Sequence, residues 1–136
     1  MLPESANLVF IVDDDPDDRQ IILDGFLKNH AQFDFEFIDS ADDLLNRLYK
    51  IETEYPDLIL LDLNMPGIMG LQALKEIRAN KKFSQIPIVV LTTSTLLSDR
   101  KNAYELGASC YLTKPDSFAK MIEYANAMTT LWLKGV

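Results

Sequence analysis

Polar side chains with chemical reach stand at the ends of four apolar runs in this 136-residue sequence. Asp13 and Asp14 follow "LVFIV", Asp62 follows "LILL", Thr92 closes "IPIVVLT" and Lys114 follows "SCYLT". Three carboxylates gathered in one cleft repel one another unless a cation sits among them, and hard oxygen donors select Mg²⁺ or a similar divalent ion such as Mn²⁺. Mg²⁺ keeps several waters and takes one or two carboxylates together with a phosphate, so the expected chemistry is the handling of a phosphoryl group. A lysine supplies positive charge for phosphate oxygens, and a threonine hydroxyl can donate a hydrogen bond to another. The group in this set able to accept the phosphoryl covalently is a carboxylate, made reactive and shielded from the incoming anion by the metal.

These residues can act together only if the elements before them end at one place. "LVFIV" (Leu8 to Val12) is continuous and β-branched, which predicts a strand buried on both faces, and "LILLD" and "IPIVVLT" repeat the pattern. "FDFEFI" alternates Phe33, Phe35 and Phe37 with Asp34 and Glu36, so it exposes one face or lies near a sheet edge. "SCYLTKP" predicts a short fifth strand stopped by Pro115. Between the runs lie helical patterns. Pro16 starts the first, whose buried stripe is Ile22, Leu23, Phe26 and Leu27. Ser40 with Asp43 three residues on resembles a capping box ahead of Leu44, Leu45 and Leu48. Leu71, Leu74 and Ile77 mark a third helix. A fourth begins at about Ser98, with Gly107 as its left-handed cap. Phe118, Met121, Ile122, Ala125 and Met128 form the stripe of the last, with Trp132 one turn further.

Strands alternating with helices of this length require parallel pairing through right-handed crossovers. The expected fold is α/β: five βα units in one five-stranded parallel sheet, doubly wound with helices on both faces, forming a single domain over residues 1–136 with no output domain. In such a sheet ligands bind beyond the carboxyl ends of the strands. Asp13, Asp14, Asp62, Thr92 and Lys114 all fall there.

Composition narrows the partners. Thirteen Lys plus Arg against 21 Asp plus Glu give a net charge of -8, which argues against general affinity for nucleic acid or anionic membrane. The single cysteine, Cys110, excludes an internal disulfide and reads as a small buried hydrophobe, and one histidine, His30, is too few for a Cys/His zinc site. No leader pattern or bilayer-length apolar run occurs, so a cytoplasmic location is expected.

Taken in order, "VDDD", "LLDLNMPGIMG", "VVLTTS" and "YLTKP" resemble the receiver domain of two-component response regulators, over about Leu8 to Leu131. The resemblance implies a flavodoxin-like strand order 2-1-3-4-5. It implies that Asp62 is the phosphoacceptor, that Asp13, Asp14 and Asp62 hold Mg²⁺ with the backbone carbonyl of Asn64, and that Lys114 pairs with the phosphate. Thr92 matches the switch hydroxyl and Tyr111 the aromatic that moves inward with it, while Pro115 follows what is often a cis peptide bond. Two positions depart from the pattern: Met69 replaces the acid commonly found before Gly70, and Thr93 is larger than the usual Ala or Gly.

The implied function is that of a stand-alone response regulator which takes a phosphoryl group from a phosphohistidine on a sensor kinase or phosphotransfer protein. It would catalyse its own phosphorylation and dephosphorylation without being a dedicated enzyme. Output would pass to a downstream protein target, or to a second copy in a homodimer, through the face of helix four, strand five and helix five. Leu96, Leu97, Tyr104 and Tyr111 are the candidates on that face.

Blander readings stand beside these. Asp17 and Asp18 read as solvated partners of a helix dipole, and Asp15 falls outside the site. An aspartyl-phosphate phosphohydrolase would need an acid two residues after its nucleophile, where this chain has Asn64. A flavin module would need a Thr/Ser/Gly-rich loop after the first strand, where five acids stand instead. A pseudo-receiver acting by contact alone is the remaining alternative.

Overall fold

In the computed structural model, residues 6–52, 54–65 and 69–134 are described. The continuous apolar runs form strands β1 (Asn7–Val12), β3 (Leu58–Leu61) and β4 (Ile88–Thr92), flanked by β2 (Phe33–Ile38) and β5 (Cys110–Thr113). All pairings are parallel in the order β2-β1-β3-β4-β5, as expected. Helices α1 (Pro16–Leu27), α2 (Ala41–Lys50), α3 (Gly70–Ala79), α4 (Leu97–Glu105) and α5 (Phe118–Trp132) supply the crossovers, with a short 3-10 turn at Lys81–Phe83.

Because strand side chains alternate in direction, the central strands serve two cores. Phe10, Val12, Ile59, Leu61, Ile88 and Val90 face Leu44 and Leu48 of α2, Leu74 and Ile77 of α3, and Ala103 of α4. Val9, Ile11, Leu58, Leu60, Val89 and Leu91 face Ile22 and Phe26 of α1 and Met121, Ala125 and Met128 of α5. Burial on both faces is why these strands read as unbroken apolar runs.

Helix ends follow local chemistry. The Asp15 carboxylate accepts from the backbone N–H groups of Asp17 and Asp18, and Ser40 and Ser117 cap α2 and α5 by accepting from Asp43 and Lys120. Gly107 has φ +105°, and the N–H groups of Gly107 and Ala108 donate to Tyr104 and Ala103, closing α4 with a left-handed turn. The helix begins at Leu97, one residue before its expected start.

Four expectations need correction. Leu27 is exposed and Leu23 only half-buried, because Gly25 lets α1 approach α5 closely: a Cβ there would lie 2.8 Å from Met121 Cγ, so the buried stripe runs through Ile22, Gly25 and Phe26. Phe118, in the first turn of α5, is likewise exposed, and Ile122 is half-buried; Met121, Ala125 and Met128 are buried as expected, and Thr129 joins them. Cys110 is half-buried, as befits the first residue of an edge strand. No peptide bond among the described residues is cis, so Lys114–Pro115 takes the intrinsically preferred trans form. Edge strand β2 behaves as its alternation suggests at Phe33 and Phe35, whose rings pack edge-on to Phe26, but Phe37 turns out under the Arg19 guanidinium.

Candidate functional site

Three of the expected site residues are delivered by the backbone ladder of the strand each follows. The N–H of Asp13 donates to Ile38 of β2 at 2.9 Å, that of Asp62 to Val12 of β1 at 3.0 Å, and that of Lys114 to Thr92 of β4 at 2.8 Å. Each is the first residue past its strand yet still bonded to the neighbouring one, so its main chain is held as firmly as the sheet. Asp13 and Asp62 are 2% and 5% exposed, whereas Asp14 lies at the surface.

The Lys114 ammonium fills the space between the acids. Its Nζ lies 2.9 Å from Asp13 Oδ2, 3.1 Å from Asp62 Oδ2 and 2.7 Å from Asp18 Oδ2. Burial disfavours its charge, but the bonds to Asp13 and Asp18 and the field of Asp62 outweigh that penalty and raise its pKa. For Asp13, burial raises the pKa, and the bonds to Lys114 and to the Asp15 N–H only partly offset the rise, while the charge of Asp62 adds to it. Asp18 is therefore part of this constellation, which the sequence reading missed. At the start of a helix its carboxylate looks like a dipole partner, and only the fold joins it to a lysine 96 positions away.

Asn64 and Thr92 meet as well, by side chains. Asn64 Nδ2 donates to Thr92 Oγ1 at 3.2 Å and to Thr93 Oγ1 at 3.1 Å, while its backbone N–H donates to Asp62 Oδ1 at 3.1 Å. Thr92 is fully buried and also accepts from the Ser94 N–H. The enlarged residue Thr93 is thus a second anchor for Asn64. Tyr111 is 4% exposed, with its hydroxyl donating to the Ser94 carbonyl at 3.0 Å, so its ring is turned inward while it still lines the floor of the groove beside α4. Leu96, Leu97 and Tyr104 are exposed as anticipated. Met69 is on the surface; the loop residues Pro66, Gly67 and Ile68 lie outside the described residues.

The donor set suits a hard divalent cation. Asp13, Asp14 and Asp62 each offer a carboxylate oxygen, and these oxygens lie within 4.8 Å of one another. Asp13 Oδ2 is buried without a well-directed hydrogen bond despite the nearby ammonium, leaving a lone pair available to an ion.

Doubly wound strands that gather carboxylates, a lysine and a buried threonine hydroxyl at one carboxyl edge define an acidic switch-type α/β module with a flavodoxin-like strand order. The match to known proteins narrows this: the chain belongs to the response regulator receiver domain family, whose pattern spans residues 9–126. It is the receiver domain of a response regulator in two-component signalling. Response regulator Rcp1 of Synechocystis is 34% identical over 135 residues, covering 95% of this chain and 90% of its own. The phosphate regulon transcriptional regulatory protein PhoB of Escherichia coli is 32% identical over 124 residues, 90% of this chain but 52% of the longer relative. The crystal structure of the Mn²⁺-bound form of Rcp1 superposes with a TM-score of 0.84 at 28% identity, over 96% of each chain. That of the phosphorylated cyanobacterial phytochrome response regulator RcpA gives 0.87 at 27%, again over 96% of each. No described helix is long and apolar enough to cross a membrane.

Proposed function

We propose that this protein is a phosphorylation-activated response regulator whose phosphoacceptor is Asp62. The observation that carries the reading is the setting of that carboxylate. It is nearly buried at the end of β3, grouped with Asp13 and Asp14, and 3.1 Å from the Lys114 ammonium. A sensor histidine kinase or phosphotransfer protein presents a phosphohistidine in line with Asp62. The Asp62 Oδ–P bond forms as the N–P bond breaks, and the imidazole keeps the electron pair.

Lys114 neutralises phosphoryl oxygens, and Thr92 exchanges its bond from Asn64 for one donated to the phosphoryl group. Asp13, Asp14 and Asp62, with the Asn64 carbonyl, would hold Mg²⁺ or Mn²⁺, which would supply charge neutralisation for the transfer. The Mn²⁺-bound state of Rcp1 and the phosphorylated state of RcpA support both parts of the reading. Hydrolysis of the acyl phosphate resets the protein, which serves as acceptor and as catalyst of its own modification and not as a dedicated enzyme.

The added charge of roughly 1.5 to 2 units is read out through Thr92, Ser94 and Tyr111 to the face of α4, β5 and α5. A groove of about 380 Å³ there is lined by Leu96, Leu97, Arg100, Leu112 and Tyr124, among others, and suits a downstream protein or a second copy. Incubation with acetyl phosphate, with and without Mg²⁺, followed by intact mass tests the proposal. One phosphate is expected only with Mg²⁺ and only when Asp62 is present; an adduct that persists in Asp62→Ala refutes it.

A further inference from the structure

The Lys114 ammonium faces three carboxylates: it donates to Asp18 and Asp62, and it lies 2.9 Å from Asp13 Oδ2 as an ion pair. Two of those acids, Asp13 and Asp62, belong to the group whose oxygens can share a cation. Asp18 does not belong to it. It makes the shortest of the three contacts, 2.7 Å, and comes from the first turn of α1, where Asp15 caps the helix and fixes its backbone. A cavity of about 40 Å³ beside the pair has apolar walls that include Ile22, Leu91 and Met121, and such walls weaken screening. A cation bound by Asp13 and Asp62 would therefore compete with Lys114 for those two acids while leaving Asp18 as its standing partner.

We propose that Asp18 is a positioning residue that competes with an incoming phosphoryl group for the Lys114 ammonium and thereby slows phosphoryl uptake. The inference rests on the reading of Asp62 as phosphoacceptor. Its physical content is competition: a phosphoryl group arriving at Asp62 must draw Lys114 from a carboxylate already bonded to it. Asp18 also adds negative charge, within about 6 Å of Asp62, against an incoming anion. In Asp18→Asn the amide keeps the shape and an acceptor oxygen but loses the charge, so its hold on the ammonium weakens. Asp18→Glu keeps the charge.

The test is the rate of phosphorylation by acetyl phosphate in Mg²⁺, followed by intact mass at low and high salt. Asp18→Asn is expected to accept phosphate about three- to tenfold faster than the wild type at low salt, with the advantage shrinking as salt rises. Asp18→Glu should keep the slow rate, and although Asp18→Asn should melt somewhat lower for want of a charge-assisted bond, a general loosening of the fold would give neither the salt dependence nor the rescue. An Asp18→Asn rate equal to or below that of the wild type, with the adduct still forming at Asp62, overturns the proposal alone. Absence of any adduct in the wild type overturns the phosphoacceptor reading and this inference together.

Discussion

The Tyr111 hydroxyl donates to the main-chain carbonyl of Ser94 at 3.0 Å and so ties strand β5 to the loop that follows Thr92. The same tyrosine's backbone N–H donates to the hydroxyl of Tyr104 on α4. The path from site to surface is therefore made of specific bonds: Asn64 to Thr92, Ser94 to Thr92, Tyr111 to Ser94, and Tyr111 to Tyr104. In Tyr111→Phe one buried bond is lost while the ring still packs. The expected cost is about 1 kcal/mol in urea unfolding, with faster amide hydrogen exchange confined to the Ser94–Leu97 loop. Unchanged exchange there would mean that the bond does not restrain the loop.

Asp13 should destabilise the metal-free protein at neutral pH. Its folded pKa is raised above 3.8, so the folded state binds the proton more tightly than the unfolded chain. The contribution favours folding below the unfolded pKa and is lost as pH rises through the folded one. In EDTA, Asp13→Asn is expected to be more stable than the wild type at pH 7 by about 1 kcal/mol, with the difference narrowing toward pH 4. Added Mg²⁺ should then stabilise the wild type more than the variant. A wild type that is the more stable protein at pH 7 in EDTA would contradict the assignment of burial as the dominant effect.

Arg78 staples the ends of three elements. Its guanidinium donates to the carbonyls of Gly107 at 2.9 Å and Phe83 at 3.1 Å, and lies 3.4 Å from Ser109 Oγ. Truncation in Arg78→Ala takes one donor from each carbonyl, leaving Phe83 with the Ile86 N–H, and a loss of about 1 to 2 kcal/mol in chemical denaturation is expected. A loss below about 0.5 kcal/mol, the range of ordinary surface changes, would contradict a bridging role.

Gly107→Ala meets two obstacles at one residue. The backbone sits at φ +105°, and an added Cβ would lie 2.7 Å from Arg78 Cγ, on a side chain pinned by the bonds just described. The expected cost is about 1 to 3 kcal/mol. Combining it with Arg78→Ala should cost less than the sum, because the truncated side chain no longer blocks the methyl group. Strict additivity would place the whole penalty in the backbone.

These cases show where the sequence was readable. Strands β1, β3 and β4 announce themselves because burial on both faces demands unbroken apolar runs, and the residues ending them follow from the parallel ladder. Asp18 was hidden because an acid in a first turn has a sufficient local explanation, while its partner Lys114 is set by long-range topology. Tyr111 is expected from the resemblance as an inward-moving aromatic at the output face, but its bonds to the hydroxyl of Tyr104 and the carbonyl of Ser94 come only with the fold. Leu27 was misread because helical periodicity gives the width of an apolar stripe but not its centre, which Gly25 and Met121 set by close approach. Asn64 was expected for its backbone carbonyl alone, and its side-chain bonds to Thr92 and Thr93 needed the β3 and β4 loops side by side.

The central claim is that Asp62 carries the phosphoryl group, and an acyl phosphate can be marked chemically at its own position. Borohydride reduces an aspartyl phosphate to homoserine, so protein treated with acetyl phosphate and Mg²⁺, then reduced and digested, reports the modified residue by peptide mass. Homoserine at position 62 is the predicted result, absent when Mg²⁺ is withheld. Homoserine at position 13, 14 or 18, or at none, contradicts it.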